Sequence, residues 1–188
     1  RRRRLGTRPA RKRSGADSRS RSGSLAPVSQ RGRLILSWVI VALWAAVIFF
    51  MSAHTGSDFD GAGPLAAIKR WLVGLAAPVF GPDTDIVNVT AHFTEYLVFG
   101  VLLVVAARRT WPAWGWGKLA LVVIALASLY AVTDEFHQSF VPGRVCDPAD
   151  WLTDTLGATL GAGAAVLALE KMLAKEASGL IGRGRRVD

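Results

Sequence analysis

A single cysteine, Cys146, stands in 188 residues, which excludes an intrachain disulfide and any cysteine-built metal framework. The H-E-x-x-H pattern of zinc hydrolases is absent. No nucleophile sits beside a base in a known elbow, and Ser139 and Thr155 occupy no such context. No block of soluble composition interrupts or follows the apolar runs, so one membrane domain is expected. A cleavable signal peptide is not expected either, because the first apolar run is too long and lacks a small-residue cut site after it. The sequence opens on Arg1 rather than Met, so its true start is expected upstream.

Apolar surface is what the chain has in quantity. Hydrophobic residues make up 51% of it, with seven Trp and a mean hydropathy of +0.31. Gathered into runs of about 20 residues, that composition fits an integral membrane protein better than a soluble core. Four segments have spanning length, over about residues 34–53, 87–107, 119–141 and 149–169. Each must satisfy its own backbone polar groups in lipid, so each is expected to be a helix. The expected fold is all-α: an integral membrane four-helix bundle with both termini cytoplasmic and an outer interfacial amphipathic helix.

Charge is distributed unevenly. Residues 1–33 carry twelve Lys or Arg and one acid, Asp17. Arg, Ser and Gly at that density bury no apolar surface, so a disordered basic arm resting on anionic lipid is expected. It has no aromatic residue and no folded domain around it, and no specific nucleic acid partner is expected. The membrane domain then covers 34–170, and a short basic tail covers 171–188. Arg108, Arg109 and Lys118 lie between spans two and three, and Lys171, Lys175, Arg183, Arg185 and Arg186 follow span four. The other two loops hold only Lys69, Arg70 and Arg144. The positive-inside rule therefore puts the termini and the 108–118 loop in the cytoplasm.

The outer segment 55–86 contains Leu65, Ile68, Leu72, Leu75 and Val79 at helical spacing, with Lys69 and Arg70 off that stripe. The paired charges and a break at Pro78 argue against spanning. An amphipathic helix in the outer interface, anchored by Trp71, is expected instead. Pro82, Asp83 and Asp85 read as a turn that starts span two. Pro142-Gly143 is a turn signal, so spans three and four form a tight antiparallel hairpin. Asp147-Pro148 reads as an N-cap with Pro at the first helical position.

This topology gathers the polar residues at one side. His92, Glu95 and Tyr96 lie near the outer end of span two. Tyr130, Asp134, Glu135, His137 and Gln138 lie near that of span three, and Asp150 and Asp154 open span four. Helical spacing groups His92 with Glu95 and Tyr96, Tyr130 with Asp134, His137 and Gln138, and Asp150 with Asp154, Gly157 and Gly161. Glu135 falls on a different line, with Ser128, Ala131 and Ser139. Gly157-x-x-x-Gly161 lets another helix approach closely, which turns Asp150 and Asp154 toward the bundle. Capping, helix dipoles and interhelical hydrogen bonds explain any one of these residues. As a set they cost up to ~2.5–3.5 kcal/mol each at a helix centre, so a functional polar cleft is the better reading. Carboxylates and imidazoles suit divalent-cation binding, acid–base work or proton relay, and the sequence leaves these open. Asp134, His137, His92 and Asp150 are the catalytic candidates. Glu95, Tyr96, Tyr130, Glu135, Gln138, Arg144 and Asp154 complete the substrate or structural cluster. Arg144 suits a phosphate or carboxylate, or simply a pairing with Asp147. Cofactor and metal identity stay open.

The pattern His92-x-x-x-Tyr96, Asp134-Glu135-x-His137-Gln138-x-x-x-Pro142-Gly143-Arg144, then Asp150-x-x-x-Asp154-Thr155-x-Gly157-x-x-x-Gly161 resembles the VanZ-like family. These are small bacterial membrane proteins named for an accessory teicoplanin-resistance protein. FFMSAHTGSDF at the end of span one is similar to the family's aromatic-x-Ser ending. The resemblance covers roughly residues 38–170. The chain departs from the pattern at Val89, where relatives often carry Lys, and at Asp154, where they often carry Asn. The resemblance implies a plasma-membrane protein with an envelope role linked to glycopeptide or lipoglycopeptide tolerance. Two alternatives stay open beside it: a membrane-embedded hydrolase or transferase acting on a lipid or envelope head group, and a proton-coupled small transporter. The lipid bilayer is the expected partner, and an envelope lipid or cell-wall precursor and a second copy of the chain are the further candidates.

Overall fold

A computed structural model describes residues 29–55, 61–81 and 86–184. Five α-helices and no strand occur among them: α1 Gln30–Ser52, α2 Pro64–Phe80, α3 Ile86–Thr110, α4 Trp116–Gln138 and α5 Pro148–Gly184. All but α2 are long and apolar enough to cross a membrane. The 23 residues of α1 rise about 34 Å, enough for a hydrocarbon layer of ~30 Å. The basic arm up to residue 28, the turn expected at Pro82, Asp83 and Asp85, and residues 185–188 lie outside the described residues.

The helix bounds differ from the sequence reading in instructive places. Helix α4 stops at Gln138, three residues short of the expected end. Beyond it, Val141 donates its amide to the Gln138 carbonyl and Arg144 to that of Val141, so the chain is already turning ahead of Pro142. Helix α5 has no boundary near residue 170 and continues through Gly184. At 37 residues it rises about 55 Å, so its last turns, exposed at Lys171 and Lys175, extend the helix past any single hydrocarbon layer. In α2 the helix does not break at Pro78 but carries it in its last turn, giving up the one amide bond that proline cannot donate four residues back. Ala66 is buried, while Ile68, Trp71 and Leu75 are exposed. The apolar stripe at those positions faces away from the bundle.

Helices α3 and α5 form the most extensive interface, followed by α4 with α5 and α1 with α3. Small residues decide this. A Cβ at Gly157 would strike the Phe93 carbonyl, and one at Gly161 would strike the Leu97 carbonyl. Gly100 on the opposing helix is as constrained, against the Ala158 carbonyl. Ala158, Ala162 and Ala165 complete the contact face on α5. Close backbone approach through such faces is how membrane helices gain dispersion contacts where lipid offers no hydrophobic drive.

On α4 the buried line runs Leu119, Val123, Ala127, Ala131 and then Glu135, four residues apart throughout, with Asp134 and Gln138 alongside. Helix α1 contributes only Ser37, Val41, Ile48 and Ser52 to the interior. Its Ile35, Leu36, Leu43, Phe49 and Phe50 are exposed. A helix with one narrow buried line and apolar residues elsewhere suits a lipid environment.

Candidate functional site

The ends of four helices meet where α1 and α4 finish and α3 and α5 begin. Arg144 ties this end together. It donates from Nε and Nη2 to the His54 carbonyl at 3.1 and 2.8 Å, and from Nη1 to Gln138 Oε1 at 3.4 Å. A guanidinium at the carboxyl end of α1 also opposes the helix dipole. Asp147 Oδ1 accepts the Ala149 amide at 2.8 Å, the capping role read from Asp147-Pro148. Arg144 therefore pins the α4–α5 turn to α1 rather than pairing with Asp147. Gly143, at a φ of +83°, provides the left-handed residue that the turn needs.

The close α3–α5 contact sets His92 against Asp154. Nδ1 and Oδ1 are 3.3 Å apart, within ion-pair range but not aligned as a hydrogen bond. Asp134 enters from α4. Single ligand atoms of His92, Asp134 and Asp154 lie within 4.8 Å of one another, and all three residues are buried. Gln138 Nε2 donates to Asp134 Oδ2 at 3.4 Å, a long bond. The Tyr96 hydroxyl is fully buried and within electrostatic reach of Asp134 and Asp154.

The remaining candidates divide by neighbour. Tyr130 donates its hydroxyl to the Ala45 carbonyl at 2.7 Å and packs on Tyr96 and Phe99. His137 stacks on Phe49 with ring centroids 4.0 Å apart, so it faces α1 and stands beside the triad rather than in it. Glu95 is half-buried, and its backbone carbonyl accepts Trp44 Nε1 at 2.9 Å. Asp150, in the first turn of α5, acts electrostatically on His92 and Asp154. Ser139 and Thr155 are taken up structurally, on the Phe136 carbonyl and on Ser128.

Glu135 lies differently from the sequence expectation. It does leave the neighbours of Asp134, yet it is 3% exposed and accepts the Asp147 amide on Oε2 at 2.8 Å. It thus fixes the start of the helix that carries Asp154. The period-four line from Leu119 to Ala131 pointed it inward, a signal that grouping by Asp134 alone passes over. Ser52 was also missed: it is buried beside Asp134, and its place in the FFMSA ending was the available clue. Gly100 carried no clue in the sequence, since a lone glycine in an apolar helix does not disclose what it faces.

Eight buried side-chain polar atoms among the described residues lack a hydrogen-bond partner. They are Ser52 Oγ, His92 Nδ1, Tyr96 Oη, Asp134 Oδ1, Glu135 Oε1, His137 Nδ1 and both oxygens of Asp154. All belong to this one end. Native proteins leave few such groups, and each calls for a reason.

A family model described as VanZ/LLP1 matches residues 37–169. The chain belongs to the VanZ/LLP1 family. The match takes in all four long helices through the packing face of α5 and every residue of the polar end. Family membership agrees with four membrane-length helices and an all-helical fold. Comparison with the curated proteins and with the solved structures gave no significant match.

Proposed function

We propose that this VanZ/LLP1 protein works in the plasma membrane, with its polar end at the outer face, and there binds or modifies the head group of an envelope lipid or cell-wall precursor. Tolerance to teicoplanin-type lipoglycopeptides is the cellular role this reading implies. One observation carries it: eight unpaired buried polar atoms, drawn from four helices, collect at one end of the bundle. An unsatisfied buried group costs roughly 1–3 kcal/mol, more when charged. Apolar residues would hold the helices together without that cost, so the arrangement supports a ligand as its purpose.

The outward placement rests on Lys and Arg. Arg33, Arg108, Arg109, Lys118, Lys171 and Lys175 all lie away from the polar end, the distribution that marks a cytoplasmic side. Exposed Ile68, Trp71 and Leu75 suit α2 to the outer interface beside the site. The paired His92 and Asp154 favour modification of the head group as a hydrolase or transferase step, because a carboxylate that orients an imidazole is a common acid–base pairing.

The test is complementation of a deletion strain with wild type or Asp134→Asn at matched protein levels. Wild type is expected to restore teicoplanin tolerance and the parental lipid profile, and Asp134→Asn neither. Restoration of both by Asp134→Asn sinks the reading. Orientation has a separate check, since exposed Cys146 sits in the α4–α5 turn. It should react with an impermeant thiol reagent in intact cells, and labelling only after permeabilisation would reverse the topology.

A further inference from the structure

We propose that His92, Asp134 and Asp154 form a binding site for one divalent first-row metal ion of the Zn2+ class. The inference deepens the reading of the polar end as the working end and rests on it.

The donor set suits such an ion. One imidazole nitrogen and two carboxylate oxygens are a borderline-to-hard combination that suits Zn2+, Fe2+ and Mn2+. The three residues come from three helices, α3, α4 and α5, so their positions are set by the fold rather than by one flexible loop. Ligand bonds of about 2.0–2.2 Å at tetrahedral angles place donors sharing an ion roughly 3.4 Å apart. Here the donor atoms lie within 4.8 Å of one another, so side-chain movements of up to about 1 Å close them on one ion.

A second, independent observation points to a ligand at the same place. Asp154 is wholly buried, and neither of its oxygens has a hydrogen-bond partner. Oδ1 of Asp134 and Nδ1 of His92 are likewise unpaired. Two buried carboxylates need positive charge, and His92, which lies 3.3 Å from Asp154, offsets at most one of them and only when protonated. Among the described residues no Lys or Arg forms an ion pair with the three. The guanidinium of Arg144, at the same end of the bundle, is spent on His54 and Gln138. A divalent ion cancels both carboxylate charges at once and gives the unpaired oxygens a partner. The Tyr96 hydroxyl, unpaired and fully buried, lies within electrostatic reach of both carboxylates.

A proton shared between the carboxylates is the competing way to relieve the same charge, and it requires no metal. The full-length protein in nanodiscs, stripped with chelator, is titrated with Zn2+ alone. Bound metal is measured by elemental analysis, and thermal stability is followed in parallel. The expected result is one Zn2+ per chain with a raised melting temperature. His92→Gln and Asp154→Asn should each weaken binding at least tenfold, while Glu170→Gln, an exposed carboxylate on α5, leaves it unchanged. Failure of the wild type to bind, or binding by both site variants as tight as that of the wild type, overturns the proposal. The wild-type titration decides the matter even where a variant does not fold. The two readings fail separately. Envelope phenotype lost in His92→Gln without metal binding by wild type removes the metal and leaves the working end. Metal bound by wild type with an intact phenotype in His92→Gln does the reverse.

Discussion

The two ends of this bundle are built from the same helices in the same medium, yet they treat polar groups in opposite ways. At the basic end, Trp38 Nε1 donates to Thr110 Oγ1 at 2.9 Å, and that hydroxyl donates in turn to the Ala106 carbonyl. Arg108 donates to the Trp114 carbonyl at 2.9 Å and lies 4.2 Å from the centroid of Trp116. Lys118 covers Trp114, which stacks on Trp111. Aromatic rings with polar edges, paired with snorkelling cations, are what an interface stabilises. At the opposite end, eight buried atoms have no partner. The contrast shows that poor satisfaction is not a general property of this packing. It is concentrated where the acids and histidines are, and that is the argument for function there and scaffold elsewhere.

The largest change to that contrast is to abolish both ends together. Gly161 holds α5 against the backbone of α3 at Leu97, midway between them. A leucine there has nowhere to go except by separating the helices, since the obstacle is a carbonyl rather than a flexible side chain. Gly161→Leu should cost several kcal/mol, in the range reserved for severe core overpacking and beyond. The expected outcome is little folded protein, read as abundance and detergent melting. A stable Gly161→Leu variant would mean that α3 and α5 do not pack this way, and the proximity of His92 and Asp154 would fall with it.

The next change affects one end only, and it compares neighbours on one helix. Asp134→Asn keeps shape and can still accept from Gln138, so abundance should hold while the envelope phenotype drops to that of the deletion strain. Glu135→Gln keeps an acceptor for the Asp147 amide, so the start of α5 stays tethered. Tolerance within about twofold of wild type is expected, since a retained hydrogen bond preserves most of a contribution of about 1 kcal/mol. Equal loss in both variants at equal protein levels would enlarge the working site to include Glu135. Glu135→Ala should then be worse than Glu135→Gln in melting temperature, because the tether itself is gone.

These residues also show how far the sequence could be read. Four long helices, the α4–α5 hairpin and the cap at Asp147 followed from hydropathy, Pro142-Gly143 and Asp147-Pro148, because each is a local signal. Gly157-x-x-x-Gly161 announced a close contact, but its partner face on α3, the backbone at Phe93 and Leu97 with Gly100 beyond, depends on which helices meet. His92, Asp134 and Asp154 were all candidates by position. Their convergence, and the departure of His137 toward Phe49, are decided by helix rotation. A rotation of about 100° per residue separates Asp134 from Glu135, and both are buried because α4 is covered on more than one side. A single inward line, the right picture for α1, is too narrow for α4.

The smallest expected effect belongs to the basic end and tests whether its bonds are only structural. Thr110→Val preserves volume and branching while removing the oxygen that Trp38 donates to. The indole N–H is only partly buried there, so water or head groups can replace the lost acceptor. Interhelical hydrogen bonds in membrane bundles average about 0.6 kcal/mol by double-mutant cycles. Thr110→Val should therefore lower the detergent melting temperature slightly. Combined with Trp38→Phe, it should add almost nothing further beyond the cost of the smaller ring. Teicoplanin tolerance should match wild type once protein levels are equalised. Loss of tolerance at intact abundance would show that the basic end carries function as well. The division between a satisfied scaffold and an unsatisfied working end would then have to be abandoned, however well the polar end itself behaved.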